Sequence, residues 1–464
     1  MQFNIELGGE GVDFSSVARA IVASDAQVVA IQEACGRMPQ IASDLGWPHY
    51  DVRSQVVSMY PLLTPSDAAE GAILVELDGG HVIAVVNVHP PSRGYGPIRV
   101  EHGAGVGQVL RRERKVRLAT LRPQLDYAAK LLASRIPVVF LGDFNAPSHR
   151  DWSSQMVGAR EHVRYPVEWP TSKAAEEIGL SDVYRVVFPD PTTHPGLTWP
   201  ASRPFVRGYN PARNDKPSDR IDLMYVGGSI TPRTVSIVGE TGSEMTDIEV
   251  TPWPSDHRAI VATLDVVPAP TPTVISVDRR LVDVGQPIEV RYNAGDEDAL
   301  RLRVSPVSAA LAGASEDLRL PDPRAGRMSL PTGFLEAGSY VLDLLGESER
   351  LLSTTRVWIV DANTQPLVTC SKSSYLEGEP VVVTWDSAPG NKADWVSIVK
   401  ADDAEAGPAL MWTYTKATVA GVVTFDETSR QKQWPLPAGD YTACLIADDS
   451  QRRLAIANFT IAER

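Results

Sequence analysis

Short apolar runs that stop abruptly at polar residues set the pattern of the first 265 positions. Ile136-Pro-Val-Val-Phe-Leu, rich in β-branched and aromatic residues, predicts a buried strand. It halts at Gly142; Asp143 and Asn145 follow two residues apart, and Pro147 and Ser148 open a loop. Strand alternation would set those two side chains on one side, and an Asx turn closing the strand would also account for them. Phe3–Ile5 and Val28–Ile31 read as further strands, and Ser15–Ser24 as a helix with Val17, Ala20, Ile21 and Ala23 apolar. Ala72–Leu77 and Val82–Val88 form a strand pair turned at Asp78-Gly79-Gly80. Over Gly107–Leu132 apolar residues fall near helical spacing, and the Arg111–Arg117 run predicts a solvated helix face. An irregular region rich in Trp, Pro and His spans Trp152 to Asn214, before strands at Ile221–Val226 and Ala259–Val266. Mixed strands with helices on both sides predict a layered α/β sandwich over residues 1–266.

Pro268-Ala-Pro-Thr-Pro-Thr273 reads as a linker, placed at 267–273. Beyond it come short strands with turn signals every 8–12 residues, an all-β pattern. That pattern repeats. Val284-Gly-Gln-Pro-Ile-Glu-Val-Arg-Tyr-Asn293 is echoed by Leu376-Glu-Gly-Glu-Pro-Val-Val-Val-Thr-Trp-Asp386, and Ala337-Gly-Ser-Tyr-Val by Ala438-Gly-Asp-Tyr-Thr. Two tandem immunoglobulin-sized β-sandwiches, 274–362 and 363–464, are the expected organisation.

Length agrees, since 464 residues exceed one compact core. No apolar run approaches the ~18 residues of a membrane span. The net charge of −14 argues against a protein built to grip nucleic-acid backbone. Cys35, Cys370 and Cys444 fit no zinc spacing; Cys370 and Cys444 fall in strands of the last domain and are left as either a bridge or free thiols. Met1-Gln-Phe-Asn-Ile reads as a strand already under way. That predicts a cytoplasmic protein, or one whose export segment lies upstream of Met1.

The chemistry gathers where apolar runs end. Asn4 lies in the first strand, Glu33 ends Val28-Val-Ala-Ile-Gln, and His89 ends Val85-Val-Asn-Val. Asp143 and Asn145 follow Leu141, Asp222 enters a strand after Ser218-Asp-Arg-Ile, and Ser255-Asp-His257 precedes the last strand. A terminal carboxylate or a lone histidine is ordinarily a solvated or structural residue; six such cases in one module point to a site.

These stretches carry a resemblance. Phe3-Asn-Ile, Ile31-Gln-Glu33, Asn87-Val-His89, Gly142-Asp-Phe-Asn145, Arg220-Ile-Asp222 and Ser255-Asp-His257, in that order, resemble the endonuclease/exonuclease/phosphatase superfamily. That superfamily includes deoxyribonuclease I-like nucleases, inositol polyphosphate 5-phosphatases and sphingomyelinases. The resemblance implies a four-layered α/β sandwich of the deoxyribonuclease I-like kind, followed here by the two all-β immunoglobulin-like sandwiches. It implies a metal-dependent phosphoric ester hydrolase, phosphodiesterase or phosphatase, with Mg²⁺ or Mn²⁺ as cofactor.

A hard cation takes oxygen ligands and keeps several waters. Glu33 is the first ligand the resemblance implies, with Asn4 ordering the metal's shell and Asp256 adding a carboxylate. Asp143 would align and deprotonate the attacking water, and Asn145 would donate to the developing negative oxygen. His257 would meet the phosphate as a cation, held by a carboxylate behind it. Asp222 is the partner by the family match; Asp219 lies on the opposite face of a regular strand. His89 would contact the phosphate or leaving-group oxygen. Glu6 shares a face with Asn4.

Substrate is less determined. Arg93 and Tyr95, in the loop after His89, are candidates to bind a second phosphate or a ring. Tyr375…Gly378-Glu-Pro, Asp394-Trp395-Val, Trp412-Thr-Tyr414 and Pro437-Ala-Gly-Asp-Tyr441 resemble the SKICH-type immunoglobulin-like domain that accompanies some inositol polyphosphate 5-phosphatases. The expected substrate is a lipid headgroup, polyol phosphate or other small phosphate ester, with the β-domains contacting a membrane, glycan or protein surface. A Mg²⁺-dependent endo- or exonuclease is the alternative. Residues 1–265 hold 25 basic and 31 acidic side chains, a net of −6, which disfavours duplex nucleic acid. An inactive binding protein is the third reading, set against retention of all six stretches.

Overall fold

Apolar runs and amphipathic segments fold, in the computed structural model of this chain, into two seven-stranded sheets packed face to face. The structure describes residues 1–204, 217–299, 301–307, 315–403, 409–429, 433–448, 450 and 452–463. The chain divides into two units, Met1–Pro272 and Thr273–Arg464.

In the first unit the strands are β1 (Gln2–Asn4), β2 (Val28–Gln32), β3 (His49–Asp51), β4 (Val56–Ser58), β5 (Leu62–Leu63), β6 (Ala72–Asp78) and β7 (His81–Val88), then β8 (Val138–Asp143), β9 (Ser181–Asp182), β10 (Asp222–Gly227), β11 (Ile230–Glu240), β12 (Ile248–Val250), β13 (Ala259–Val266) and β14 (Ala269–Pro270). One sheet has the order β12-β11-β13-β1-β2-β4-β3, the other β5-β6-β7-β8-β10-β9, with β14 on β7. The stretch read as a linker therefore begins inside the first unit, where Ala269 and Pro270 pair with Val82 and His81.

Ala30, Val56, Ile237 and Ile260 from the first sheet meet Ile73, Val85, Val139, Leu141 and Met224 from the second, forming the core between them. Helices cover the outer faces. Helix α1 (Ser15–Ala23) and α2 (Met38–Leu45) lay Val17, Ile21, Met38 and Ile41 on Phe3, Val29 and Ile31. Covering on both sides is why the central strands read as continuous apolar runs. The result is the four-layered α/β sandwich.

Helix α3 (Gly96–Glu101) precedes the segment predicted as one helix. That segment is α4 (Val106–Glu113), a π-helical turn (Arg114–Leu118) and α5 (Ala119–Ala133), followed later by α6 (Pro170–Glu177) and α7 (Val183–Val187). Val109, Glu113, Arg117, Leu121 and Leu125 are buried, four residues apart. On an α-helix of 3.6 residues per turn such spacing drifts by about 40° per step; the wider π turn takes back part of the drift. The solvated face expected for Arg111–Arg117 is thus half wrong. Arg111, Arg114 and Lys115 are exposed, but Glu113 and Arg117 are inside.

The second unit holds two copies of one β-sandwich topology. In the first copy a three-stranded sheet (Val274–Val277, Ile288–Asn293, Ala325–Leu330) accompanies a five-stranded one (Leu281–Asp283, Leu351–Val360, Gly338–Leu345, Arg301–Pro306, Glu316–Arg319). In the second the corresponding strands are Leu367–Cys370, Val381–Asp386 and Gly421–Phe425, with Ser374–Leu376, Arg453–Ala462, Gly439–Ile446, Trp395–Lys400 and Met411–Tyr414, in the same order. Tyr340 donates to the carbonyl of Glu336 at 3.0 Å, and Tyr441 to that of Pro437 at 2.7 Å, the same corner in both copies. Cys370 and Cys444 are free thiols on different sheets.

Candidate active site

The register of the strands brings distant residues to one end of the sandwich. Strand β1 runs parallel to β2 with Asn4 beside Gln32, so Glu33 follows one residue beyond. Strand β8 runs antiparallel to β10 with Asp143 directly opposite Asp222. Strand β7 lies parallel to β8 with Val88 beside Gly142, placing His89 at the same end. A Cβ at Gly142 would fall 1.9 Å from the Val88 carbonyl oxygen, so only glycine permits that approach. His257 arrives just before β13 from the other sheet.

Four of these residues form a buried floor: Asn4, Asp143, Asp222 and His257. Asp143 Oδ2 is its centre. Asn4 Nδ2 and Asn145 Nδ2 each donate to it at 3.1 Å, His89 Nε2 lies 3.5 Å away and His257 Nε2 3.8 Å away. His257 Nδ1 is 2.9 Å from Asp222 Oδ2, the carboxylate behind the ring. Glu33, His89 and Asp256 form a half-exposed rim, at 25%, 21% and 30% exposure against 2% for Asp143. Asn4 Nδ2 also donates to Glu33 Oε1 at 3.1 Å. The site therefore opens to solvent through the rim.

Asp143 and Asn145 do meet, but alternation along the strand is not the reason. The strand ends at Asp143, Asn145 adopts a left-handed φ of 49°, and its backbone N–H donates to Asp143 Oδ1 at 2.7 Å. This is the Asx turn, and it serves the site. Glu33 is also left-handed, at φ 58°, as is Glu6, at φ 52°. Each such residue stores about 1–3 kcal/mol of strain that the surrounding structure must hold.

Several expected roles change. Asn4 accepts the Glu6 N–H through Oδ1 at 3.0 Å, so its N–H₂ end, not its oxygen, faces the carboxylates. As placed it is a donor that orients Glu33 and Asp143. Glu6 is taken by Arg203, whose Nε and Nη2 lie 2.5 and 2.6 Å from its oxygens. Tyr95 is not poised for substrate: its ring is buried and its hydroxyl donates to Asp219 at 2.9 Å. Arg93 has an exposed side chain, and its carbonyl accepts from Arg112 at 3.3 Å. Asp219 faces away from His257 and takes Trp152 Nε1 at 2.9 Å and His162 Nε2 at 3.2 Å.

Sequence reasoning passed over the supports. Gln2 Nε2 donates to Asp222 at 2.6 Å and to Gln32 at 2.7 Å, and Gln32 donates to Asn87 at 2.7 Å, an amide chain beneath the floor. Ser255 Oγ donates to the Asn4 carbonyl at 2.7 Å, and Thr198 Oγ1 accepts the Asp222 N–H at 3.1 Å. Trp199 Nε1 donates to Asp256 Oδ2 at 3.2 Å. The available signal was an amide inside a run that is otherwise apolar, as at Gln32 and Asn87.

Electrostatics assigns protons. Burial opposes a charge on His257, but Asp222, Asp143 and Asp256 hold the imidazolium protonated well above the ordinary histidine range. Burial likewise disfavours ionised Asp143, yet the charges of His257 and His89 leave its carboxyl below the usual value. Burial pushes Asp222 up despite His257. Asp256 is pushed up by burial first and also by the charge of Glu33. Glu33 and Asp256 are both hard-oxygen donors, of the kind a divalent cation takes. Asp143, Asp222 and His257 also bring ligand atoms within 4.8 Å of one another.

Comparison with known proteins gives three results. Residues 1–257 match the Endonuclease/Exonuclease/phosphatase family. Uncharacterized protein F14F9.5 of Caenorhabditis elegans is 26% identical over 291 residues, spanning 56% of this chain and 89% of that one. Among solved structures, an endonuclease/exonuclease/phosphatase from Beutenbergia cavernae DSM 12333 aligns over 99% of this chain and 98% of its own, at 14% identity and a TM-score of 0.34. An AP endonuclease from Archaeoglobus fulgidus aligns over 54% of this chain and 93% of its own, at 17% identity and a TM-score of 0.34.

Proposed function

Since the chain belongs to the endonuclease/exonuclease/phosphatase family, whose members are generally phosphoesterases or nucleases, we propose that it hydrolyses small phosphate esters with a divalent cation. A lipid headgroup or polyol phosphate is the substrate class, and an activated water attacks in line with the leaving group. The observation that carries this reading is the convergence of Asn4, Asn145, His89 and His257 on Asp143 Oδ2. Donors that surround one anionic oxygen are also placed to surround the phosphoryl oxygens of a substrate beside it.

Asp143, kept ionised, accepts the proton of the attacking water. With substrate bound, the Asn145 amide N–H that otherwise goes to Asp143 Oδ2 turns to the developing charge, while the other stays on the Pro90 carbonyl; such an interaction is worth about 3 kcal/mol in comparable sites. His257, cationic and braced by Asp222, faces the phosphoryl group. His89, at the opening, supplies the leaving oxygen with a proton. Glu33 and Asp256 would hold Mg²⁺ or Mn²⁺, which supplies counter-charge to the phosphoryl oxygens and orients the ester. No helix among the described residues is long and apolar enough to cross a membrane.

The test is a cation-supplemented panel of sphingomyelin, phosphoinositides, sugar phosphates, nucleotides, RNA and plasmid DNA. Turnover of a small or lipid ester that EDTA abolishes is the expected result. Preference for plasmid DNA would replace this reading with a nuclease, and turnover that survives EDTA would remove the cation.

A further inference from the structure

Arg117 is fully buried. Its Nη1 lies 2.5 Å from Oε1 of Glu113, also buried, and its Nη2 donates to the Ser92 carbonyl at 2.9 Å. Burying a charge is costly unless partners offset it; here two partners do so in part, since Arg117 Nε and Glu113 Oε2 have no hydrogen-bond partner among the described residues. One of those partners is a backbone oxygen three residues after His89.

The same segment is held elsewhere. The Pro90 carbonyl accepts Asn145 Nδ2 at 3.1 Å, the Arg93 carbonyl accepts Arg112 Nη2 at 3.3 Å, and the Tyr95 hydroxyl donates to Asp219 at 2.9 Å. A Cβ at Gly94 would fall 2.1 Å from Arg112 Nη2, and one at Gly96 would fall 2.4 Å from the Trp169 ring. Loops are ordinarily the mobile part of a fold; this one is fastened along its whole length, with His89 at its head. The fastening from the helix side depends on the π turn, which helps to keep Glu113 and Arg117 on the inward face.

We propose that Arg117, seated by Glu113, is a positioning residue for His89. It fixes the Ser92 carbonyl, and through the backbone of 90–92 the direction from which the imidazole approaches Asp143 and the substrate. Arg117 touches none of the reacting groups. Its influence lies in the roughly hundredfold sensitivity of such chemistry to a displacement of about 1 Å. The kinetic part of this inference rests on the phosphoesterase reading above.

The variant pair Glu113→Gln/Arg117→Met removes both charges together, so neither is left buried alone. It is expected to lower kcat by about tenfold to hundredfold with KM nearly unchanged. In a His89→Ala background the same pair should change kcat by less than about twofold, because the residue it positions is gone. An equal loss in both backgrounds overturns the proposal.

A second readout needs no turnover. The ¹³Cε1 histidine signal that disappears in His89→Ala should shift or broaden in the Glu113→Gln/Arg117→Met protein, and again in the milder Arg117→Lys, while the His257 signal stays. An unmoved His89 signal overturns the proposal even if the protein hydrolyses every ester. A moved one upholds it even if the phosphoesterase reading fails.

Discussion

Two clusters of buried charge meet two residues apart, at Arg220 and Asp222, and they could hardly differ more. Around Arg220 the guanidinium reaches both Asp151 and Asp182, at 2.9 and 2.7 Å, and Arg185 reaches Asp151 at 2.6 Å. Tyr184 lies against both guanidinium groups, 5.1 and 5.2 Å from their centres. Two buried cations face two buried anions, each paired. Around Asp222 the anions Glu33, Asp143 and Asp256 join it against His89 and His257. The backbone is left-handed at Glu33 and Asn145, and the rim is open. Burial is thus no mark of function by itself. The cluster that is unbalanced in charge, held in strained backbone and open on one side is the one suited to a cation and a phosphate.

Three experiments would break or sharpen that contrast. The largest effect is expected from Asp143→Asn, which keeps shape and removes the base. Turnover should fall by about 10²–10⁴-fold with the fold kept and the thermal midpoint lower, since an amide cannot accept all the hydrogen bonds that hold the ionised carboxyl below its ordinary range. A near-normal rate would move the base elsewhere.

Next comes Arg220→Met, which leaves Asp151 and Asp182 buried with one cation fewer. The first unit should lose about 3–5 kcal/mol in denaturant unfolding; a loss below 1 kcal/mol would show that the balanced cluster is no better than a surface pair.

The smallest effect is in pH. Burial opposes the charge on Asp182, but Arg220 and its hydrogen bonds hold the carboxyl below its ordinary value. A depressed native pKa contributes stability above the unfolded value of about 3.9 and loses it as pH falls through the native one. The stability deficit of Asp182→Asn relative to the parent should therefore be full at pH 7 and shrink below pH 4. A deficit independent of pH would assign it to packing.

Much of the fold could be read along the chain, because buried strands covered on both faces leave continuous apolar runs and repeated β-sandwiches repeat their turn residues. Glu33, His89, Asp143, Asp222 and His257 could be singled out because each interrupts or borders such a run. The rest failed for identifiable reasons. Arg117 looked solvated because helical spacing alone does not reveal a π turn or a carbonyl waiting inside. Tyr95 looked available because nothing near it in sequence announces Asp219, 124 positions later. Strand alternation does not bring Asp143 and Asn145 together; a turn at φ 49° does.

What the chain's own order of residues determined is local: where strands start and stop, which polar group ends each, and that the last two hundred residues repeat one sandwich. What only the tertiary structure decided is which of those ends meet. Asn4 and Glu33 belong to one sheet and His89, Asp143 and Asp222 to the other. They share a site because β8 and β10 pair with Asp143 opposite Asp222 and the two sheets pack through one core. A slip of one residue in that pairing would turn each side chain to the other face. Pairing register is set by contacts between distant segments, and so it is settled only when the whole domain has folded.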